Sequence, residues 1–147
     1  MRFLNGRHLG VLGVVTTLAA LAAALWWQYH DGLEPCSLCW VQRGEVVLLL
    51  VGFALHWRWQ RLGGGLALLA AVAGLVTALL QLDEVQNGAA AALNVCTITA
   101  SGLPSCAVAG AHRILGIRLV DWSLAGFVFW LLLALAALPW RARGAAA

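Results

Sequence analysis

Long apolar runs separated by short polar connections form the main pattern of this chain. The first run, Leu9 to Trp27, carries no charge and is long enough to cross the hydrocarbon core of a bilayer. The run from Val46 to Trp57 is too short to cross alone, so a full span must begin near Leu38. The pattern predicts four transmembrane helices, at about 9–27, 38–57, 63–82 and 122–140.

The composition agrees with a membrane protein. The chain has 147 residues, of which 63% are hydrophobic and only 10% charged, and its mean hydropathy is +0.88. A soluble domain has about a quarter of its residues charged. We therefore expect an all-α membrane protein, a four-helix transmembrane bundle forming one domain over residues 1–147 and surrounded by membrane lipid. A nucleic-acid partner is not expected, because the arginines behind the net charge of +3 are spread along the chain.

The placement of the arginines predicts the orientation in the membrane. One side of the bundle carries six of the nine, at positions 2, 7, 58, 61, 141 and 143, and the other side carries all six acidic residues. Because arginine-rich loops stay cytoplasmic, we expect both termini in the cytoplasm. The long second loop, 83–121, and all four cysteines are then on the extracytoplasmic side of a cell inner membrane.

The first apolar run has an alternative interpretation as a cleaved signal peptide. Ala22 to Ala24 offer the small residues that a cleavage site needs. The length of the run and its ending in Trp26-Trp27, which is typical of a membrane interface, favour a transmembrane span instead.

Candidate chemistry is concentrated at the start of the second predicted helix, in the sequence PCSLCWVQR that begins at Pro35. Proline suits the first turn of a helix, and Cys36 and Cys39 would then lie at the positive end of the helix dipole, which favours thiolate over thiol. Arg43 follows Cys39 by four residues and shares its helical face. A cation there favours a thiolate or a reduced electron acceptor, so the pattern predicts a redox dithiol. Alternatively, Arg43 snorkels to the lipid headgroups or pairs with Glu45.

The four cysteines allow three interpretations. Structural disulfides are disfavoured because a bridge between Cys36 and Cys39 would close a very small loop and remove little unfolded-state entropy. A zinc site is disfavoured because nine residues separate Cys96 from Cys106 and no histidine stands in ligand spacing. In the third, a thiol–disulfide relay, a cysteine pair on a bendable loop meets a soluble protein and the membrane-edge pair meets a lipid-soluble electron carrier. Four cysteines can pair fully in three ways, and the residues alone do not select one.

The segment 36–43, CSLCWVQR, closely resembles the disulfide bond formation protein B family (DsbB and its shorter relatives of the BdbC type). In that family a Cys-x-x-Cys opens the second transmembrane helix and an arginine follows four residues later. The resemblance covers essentially the whole chain. It includes four spans, cytoplasmic termini, a second external loop with two cysteines and, at 115–122, the approach to the fourth helix.

The resemblance implies a protein-disulfide:quinone oxidoreductase. Such a protein would reoxidise a thioredoxin-like dithiol oxidase (DsbA-like) and pass two electrons to a membrane quinone, ubiquinone or menaquinone, in support of disulfide bond formation in exported proteins. By position, Cys96 would form the mixed disulfide with the partner and Cys106 would exchange with Cys36. Cys39 would be the thiolate beside the quinone, and Arg43 would help to bind the quinone. The resemblance implies no metal.

The chain departs from the family pattern at three places. The spacing of Cys96 and Cys106 falls between those of the short and the long family types. Val41 replaces an aromatic residue that is common in the short relatives. The outer end of the third helix, at 81–85, lacks the histidine that some members place near the quinone, and Glu84 is the polar residue expected to serve there.

Two other function classes compete with this one. A vitamin K epoxide reductase-like enzyme would carry its membrane Cys-x-x-Cys late in the chain, whereas here it opens the second helix. A non-enzymatic tetraspan chaperone or assembly subunit would use the four cysteines only as structural disulfides. In that case Cys39→Ser would lower the amount of protein without specifically abolishing electron transfer.

Overall fold

The structure, a computed structural model, describes residues 6–88, 96 and 105–138, with side chains from residue 8 onward. Four long helices, one short helix and one small hairpin make up the described part. In chain order they are α1 (Gly6–His30), α2 (Ser37–His56), α3 (Gln60–Asn87), α4 (Cys106–Ala111), β1 (Arg113–Ile114), β2 (Ile117–Arg118) and α5 (Leu119–Ala137).

The four long helices α1, α2, α3 and α5 are each long and apolar enough to cross a membrane, with α1 counted from His8. The prediction of an all-α four-helix membrane bundle is confirmed. The most extensive helix contact is between α2 and α3, followed by that between α3 and α5. The orientation of the bundle in the membrane stays a prediction, and three of the arginines on which it depends, at 2, 141 and 143, lie outside the described residues.

Helix α3 extends further than hydropathy predicts. The apolar run ends before Asp83, but the helix continues to Asn87, and Gly88 ends it with a φ of 54°. The added turn is mostly polar, so hydropathy excludes it from a span although no residue in it breaks a helix. The Asn87 side chain donates to the Asp83 carboxylate one turn earlier. Both ends of the predicted loop 83–121 are therefore helical, since α5 also begins early, at Leu119.

A tight hairpin leads from α4 into α5. Leu115 and Gly116 both have positive φ, 53° and 82°, which is the requirement of a two-residue type I′ turn. The indole N–H of Trp122 donates to the carbonyl oxygen of Ile114 at 3.2 Å and ties the hairpin to α5. The largely apolar sequence at 114–120 predicts either a segment in the membrane interface or the approach to the fourth span. In the structure it forms the hairpin and the first two residues of α5.

The core forms where α2, α3 and α5 pack together. Small residues permit close helix contact, and the sequence of α3 offers Gly65, Ala71 and Gly74 for it. The prediction holds for Ala71 and Gly74. Ala71 is fully buried, and a Cβ on Gly74 would overlap the ring of Phe127, so the missing side chain makes room for α5. The same prediction is wrong for Gly65, because a Cβ added there would meet nothing within 4 Å.

Candidate functional site

Helix α2 begins at the cysteine pair. Cys36 is the N-cap residue, and its Sγ accepts a hydrogen bond from the backbone N–H of Cys39 at 3.3 Å. The sulfur thereby satisfies one of the N–H groups that a helix leaves unpaired at its start. Both cysteines lie at a helix N-terminus, as the spacing predicts. Pro35 stands before the N-cap rather than in the first turn, because the cysteine sulfur itself caps the helix.

Three sulfur atoms form a cluster at this helix start. Cys96 and Cys106 form a disulfide with Cα atoms 5.9 Å apart, whereas Cys36 and Cys39 are free thiols. The sulfur atoms of Cys36, Cys96 and Cys106 all lie within 4.8 Å of one another. Two of the three are bonded to each other, so in this state they cannot act as thiolate ligands of a metal. The arrangement suits thiol–disulfide exchange, in which one sulfur attacks a neighbouring disulfide.

Two cysteines of the cluster are buried, Cys96 is partly exposed, and the cluster contacts a serine. Cys36 and Cys106 are both 0% exposed. The Ser37 hydroxyl oxygen lies 3.2 Å from the sulfur of Cys96 and 3.8 Å from that of Cys106. The hydrogen bond with the Cys39 side chain and the burial of the sulfur both raise the pKa of the Cys36 thiol.

Helix α4 brings Cys106 into the cluster. The Ser105 hydroxyl oxygen caps this helix by accepting a hydrogen bond from the backbone N–H of Val108 at 3.2 Å. The helix packs against α3, where Gly110 leaves room for the side chains of Val85 and Gln81. Cys106, as the first residue of α4, then faces the start of α2.

A series of polar side chains from three helices reaches Cys39. The Ser123 hydroxyl of α5 donates to Gln42 Oε1 of α2 at 2.8 Å, and Gln42 Nε2 donates to Gln81 Oε1 of α3 at 2.9 Å. The amide nitrogen of Gln81 then lies 3.5 Å from the Cys39 sulfur and 3.7 Å from the Cys36 sulfur. Both inner sulfurs thus share one N–H donor group.

The Arg43 guanidinium makes its contacts to neutral groups. It donates to the side-chain oxygen of Gln28 at 2.6 Å and to the carbonyl oxygen of Ala24 at 3.4 Å, and it lies 5.1 Å from the ring centre of Trp40. Within the described part of the chain no ion pair of Arg43 is found. The alternative that Arg43 pairs with Glu45 is not realised in the structure.

Glu45 contacts α3 instead of Arg43. Its carboxylate accepts a hydrogen bond from the Thr77 hydroxyl at 2.8 Å, and the side chain is buried. Residues two apart on a helix do not share a face, so Glu45 and Arg43 point in different directions. The positive charge of Arg43 is consequently left without a carboxylate partner among these residues.

A cavity of about 590 Å³ lies beside Cys39 and Arg43. Its walls come mainly from α1, α2, α5 and the hairpin, with single residues from α3 and α4 and the segment 33–35, and most of the side chains that line it are apolar. The polar and charged residues in its lining are Gln28, Glu34, Cys39, Gln42, Arg43, Gln81 and Ser123. Its volume is typical of a site for a small organic molecule. A thiol, a cation and a short row of hydrogen-bonding groups therefore share one mostly apolar space.

The structure brings five of the six predicted site residues together. Cys36, Cys96 and Cys106 form the sulfur cluster, and Cys39 and Arg43 connect it to the cavity. Glu84 is buried, does not line the cavity, and has one carboxylate oxygen without a hydrogen-bond partner among the described residues. A role of Glu84 at the electron acceptor stays a prediction.

Sequence reasoning missed the glutamines and serines of the site. Gln42 lies inside the motif that was singled out, but its side chain was given no role. Gln81 carries a signal of its own, because a polar side chain at the end of an apolar helix requires a partner when it is buried. Ser37 and Ser123 carry no such signal, since serine is common in helices and at their ends.

Comparison with known proteins identifies the family. Residues 6–137 match the family described as disulfide bond formation protein DsbB. The chain is 35% identical to disulfide bond formation protein B of Alkalilimnicola ehrlichii, over 85% of this chain and 88% of that protein. It is 33% identical to the protein of the same name from Burkholderia pseudomallei, over 83% of each chain, and 33% identical to that from Cupriavidus metallidurans, over 88% of each. No solved structure is significantly similar to it. The chain belongs to the DsbB family of disulfide bond formation proteins.

Proposed function

We propose that this protein is a protein-disulfide:quinone oxidoreductase of the cell inner membrane, with its cysteines on the extracytoplasmic side. It would reoxidise a thioredoxin-like dithiol oxidase (DsbA-like) and pass two electrons to a membrane quinone. The observation that carries the proposal is the position of Cys36. Its sulfur lies within 4.8 Å of both sulfurs of the Cys96–Cys106 disulfide, and its helix neighbour Cys39 lines the cavity.

The outer disulfide would accept electrons from the soluble partner. A thiolate of the partner attacks Cys96, so that a mixed disulfide forms and Cys106 leaves as a thiolate. The second partner thiol then attacks the mixed disulfide and releases the partner in its oxidised form. The balance is one dithiol oxidised and one disulfide reduced, which leaves Cys96 and Cys106 as thiols.

The electrons would then move to the inner pair. With Cys36 and Cys39 joined in a disulfide, the Cys106 thiolate attacks Cys36, and Cys39 leaves with the electron pair. Attack of Cys96 on Cys106 restores the outer disulfide and frees Cys36. This step would leave the outer pair joined and the inner pair as free thiols, which is the pairing of the four cysteines in the structure.

The residues around the cavity fit a quinone. A quinone ring is a flat, largely apolar group that accepts two electrons and two protons, and the cavity walls are mostly apolar. Arg43 would bind an oxygen of the ring and stabilise the negative charge that develops there, because Arg43 forms no ion pair with a carboxylate of the described chain. Cys39 would hold the electron pair at the cavity wall.

The proposal is tested by anaerobic quinone reduction with the purified full chain and a reduced thioredoxin-like dithiol protein. We expect one quinol for each partner dithiol lost. Cys39→Ser should abolish quinol formation. Quinol formation that persists in a stable Cys39→Ser protein contradicts the proposal and favours purely structural disulfides.

Cys106→Ser serves as a matched variant that separates the two half-reactions. It should prevent oxidation of the partner protein, because the outer disulfide cannot form. Its Cys36–Cys39 dithiol should still reduce one equivalent of quinone in a single turnover. Loss of both half-reactions in a well-folded Cys106→Ser protein would mean that the inner cysteine pair cannot reduce quinone independently of the outer pair.

A further inference from the structure

Gln81 is the only residue of the described chain whose side chain donates to both inner sulfurs. We infer that Gln81 is a catalytic hydrogen-bond donor to the thiolate that Cys39 becomes, and that Gln42 and Ser123 are positioning residues that orient its amide group. The inference rests on the proposed function and assigns residues to it beyond the cysteines and Arg43. It also explains why hydrogen bonds link Ser123, Gln42 and Gln81 across α5, α2 and α3: the linked side chains orient a donor toward the reacting sulfur.

The hydrogen bonds fix which end of the Gln81 amide faces the sulfurs. Its oxygen accepts from Gln42 Nε2 at 2.9 Å, so its nitrogen is the end that points to Cys39 and Cys36. Turning the amide around would set two NH₂ groups against each other and place a carbonyl oxygen against a thiolate. Both contacts would then be repulsive.

The orientation is transmitted from the cavity wall. Gln42 is held by the Ser123 hydroxyl, which donates to its Oε1 at 2.8 Å. Each link therefore donates toward the next, and the row ends with N–H groups at the sulfurs. Gln81 is 1% exposed, so water does not compete for these contacts, and hydrogen bonds in such surroundings reinforce one another.

An N–H donor at this position stabilises the thiolate that leaves in the exchange reaction and does not stabilise the protonated thiol. When the Cys106 thiolate attacks Cys36, the Cys106–Cys36 bond forms, the Cys36–Cys39 bond breaks, and the electron pair goes to Cys39. The Gln81 N–H donates to an anionic sulfur but accepts nothing from a thiol, so it stabilises the leaving thiolate relative to the protonated state. When Cys36 leaves in the next step, the same donor group lies 3.7 Å from its sulfur.

The charge on Cys39 can be measured without any quinone. In a Cys36→Ser variant with the Cys96–Cys106 disulfide intact, Cys39 is the only free thiol. The measurement is its rate of alkylation by iodoacetamide at neutral pH divided by its rate at strongly alkaline pH, where the thiol is fully ionised. This ratio reports the thiolate fraction and cancels changes in access to the sulfur.

In that background, Gln81→Met should lower the ratio by about tenfold, the effect of one hydrogen bond to a charged group. Gln81→Glu should lower it at least as much, because an oxygen then faces the thiolate. Ser123→Ala acts at a distance and should lower it by about threefold. The control is Gln86→Met, an exposed glutamine of the same helix, which should change nothing.

The result that overturns the inference is an unchanged ratio in both Gln81→Met and Gln81→Glu. Two variants are used because one of them could misfold, and glutamate has the same shape as glutamine. Retention of the Cys96–Cys106 disulfide shows that each variant is folded. An unchanged ratio, together with normal quinol formation by Gln81→Met protein that keeps all four cysteines, removes this inference and leaves the proposed function intact. A lowered ratio, together with a wild-type protein that makes no quinol, removes the proposed function and leaves the donor role of Gln81 toward Cys39.

Discussion

Removing the charge of Arg43 should slow electron transfer out of Cys39, because a smaller fraction of Cys39 is then present as the reactive thiolate. Residues four apart on a helix are separated by roughly 6 Å along the axis. Two unit charges at that distance interact by about 3 kcal/mol at an effective dielectric constant of about 20. Because the Arg43 side chain is partly exposed, we reduce this to about 2 kcal/mol. Arg43→Ala should therefore slow the reaction about thirtyfold.

The assay is a single-turnover reaction under anaerobic conditions. The inner dithiol is fully reduced and mixed with a short-chain quinone, and the loss of quinone absorbance gives the rate. The control is Arg58→Ala, which removes the same charge from the exposed turn between α2 and α3. That variant should react at the wild-type rate.

Two further substitutions separate charge from hydrogen bonding. Arg43→Lys keeps the charge and loses the forked contacts to Gln28 and Ala24, and it should stay within about threefold of wild type. Arg43→Gln keeps a hydrogen-bond donor and loses the charge, so it should be as slow as Arg43→Ala. A wild-type rate for Arg43→Gln would refute the electrostatic reasoning.

Three predictions concern the scaffold that holds the site. Gly74→Ala should lower the free energy of unfolding in detergent by about 1–3 kcal/mol, because the new Cβ overlaps an aromatic ring of α5. Gly65→Ala should raise it by up to about 1 kcal/mol. Equal effects of the two substitutions would contradict the packing. Leu115→Gly should raise the free energy of unfolding by about 1 kcal/mol, because leucine is strained at a φ of 53°. A lower free energy of unfolding would show that the leucine side chain is needed. Ser105→Ala should remove the N-cap of α4 and lower the free energy of unfolding by about 1 kcal/mol. It should also speed the reduction of the Cys96–Cys106 disulfide by a small dithiol. An unchanged rate of reduction would mean that the cap does not hold Cys106 in place.

Local patterns in the sequence predict the features of the fold that depend on nearby residues. The apolar runs predict the four spans because crossing a bilayer requires length and low polarity. The same reasoning misplaces the ends of α3 and α5, since hydropathy measures what suits lipid and does not measure what is helical. The turn that ends at Asn87 is mostly polar and still helical.

Some contacts of the candidate site are likewise predictable from the sequence, and others depend on tertiary packing. The relation of Cys39 to Arg43 is set by helical spacing and is predictable from the sequence. The contact of Gln81 with both sulfurs depends on how α3 packs against α2, and the meeting of Cys36 with the outer disulfide depends on where α4 is held. These are tertiary contacts between residues far apart in the chain, and no local pattern encodes them.

The central claim is that Cys36 is the junction between the outer disulfide and the inner pair. It is tested most directly by the disulfides that form in double variants under mild oxidation. In Cys39→Ser/Cys96→Ser, the remaining Cys36 and Cys106 have neighbouring sulfurs and should form a bond within one chain. In the matched Cys36→Ser/Cys106→Ser protein, Cys39 lies outside the sulfur cluster and should stay free. A bond between Cys39 and Cys96, with none between Cys36 and Cys106, would contradict the account.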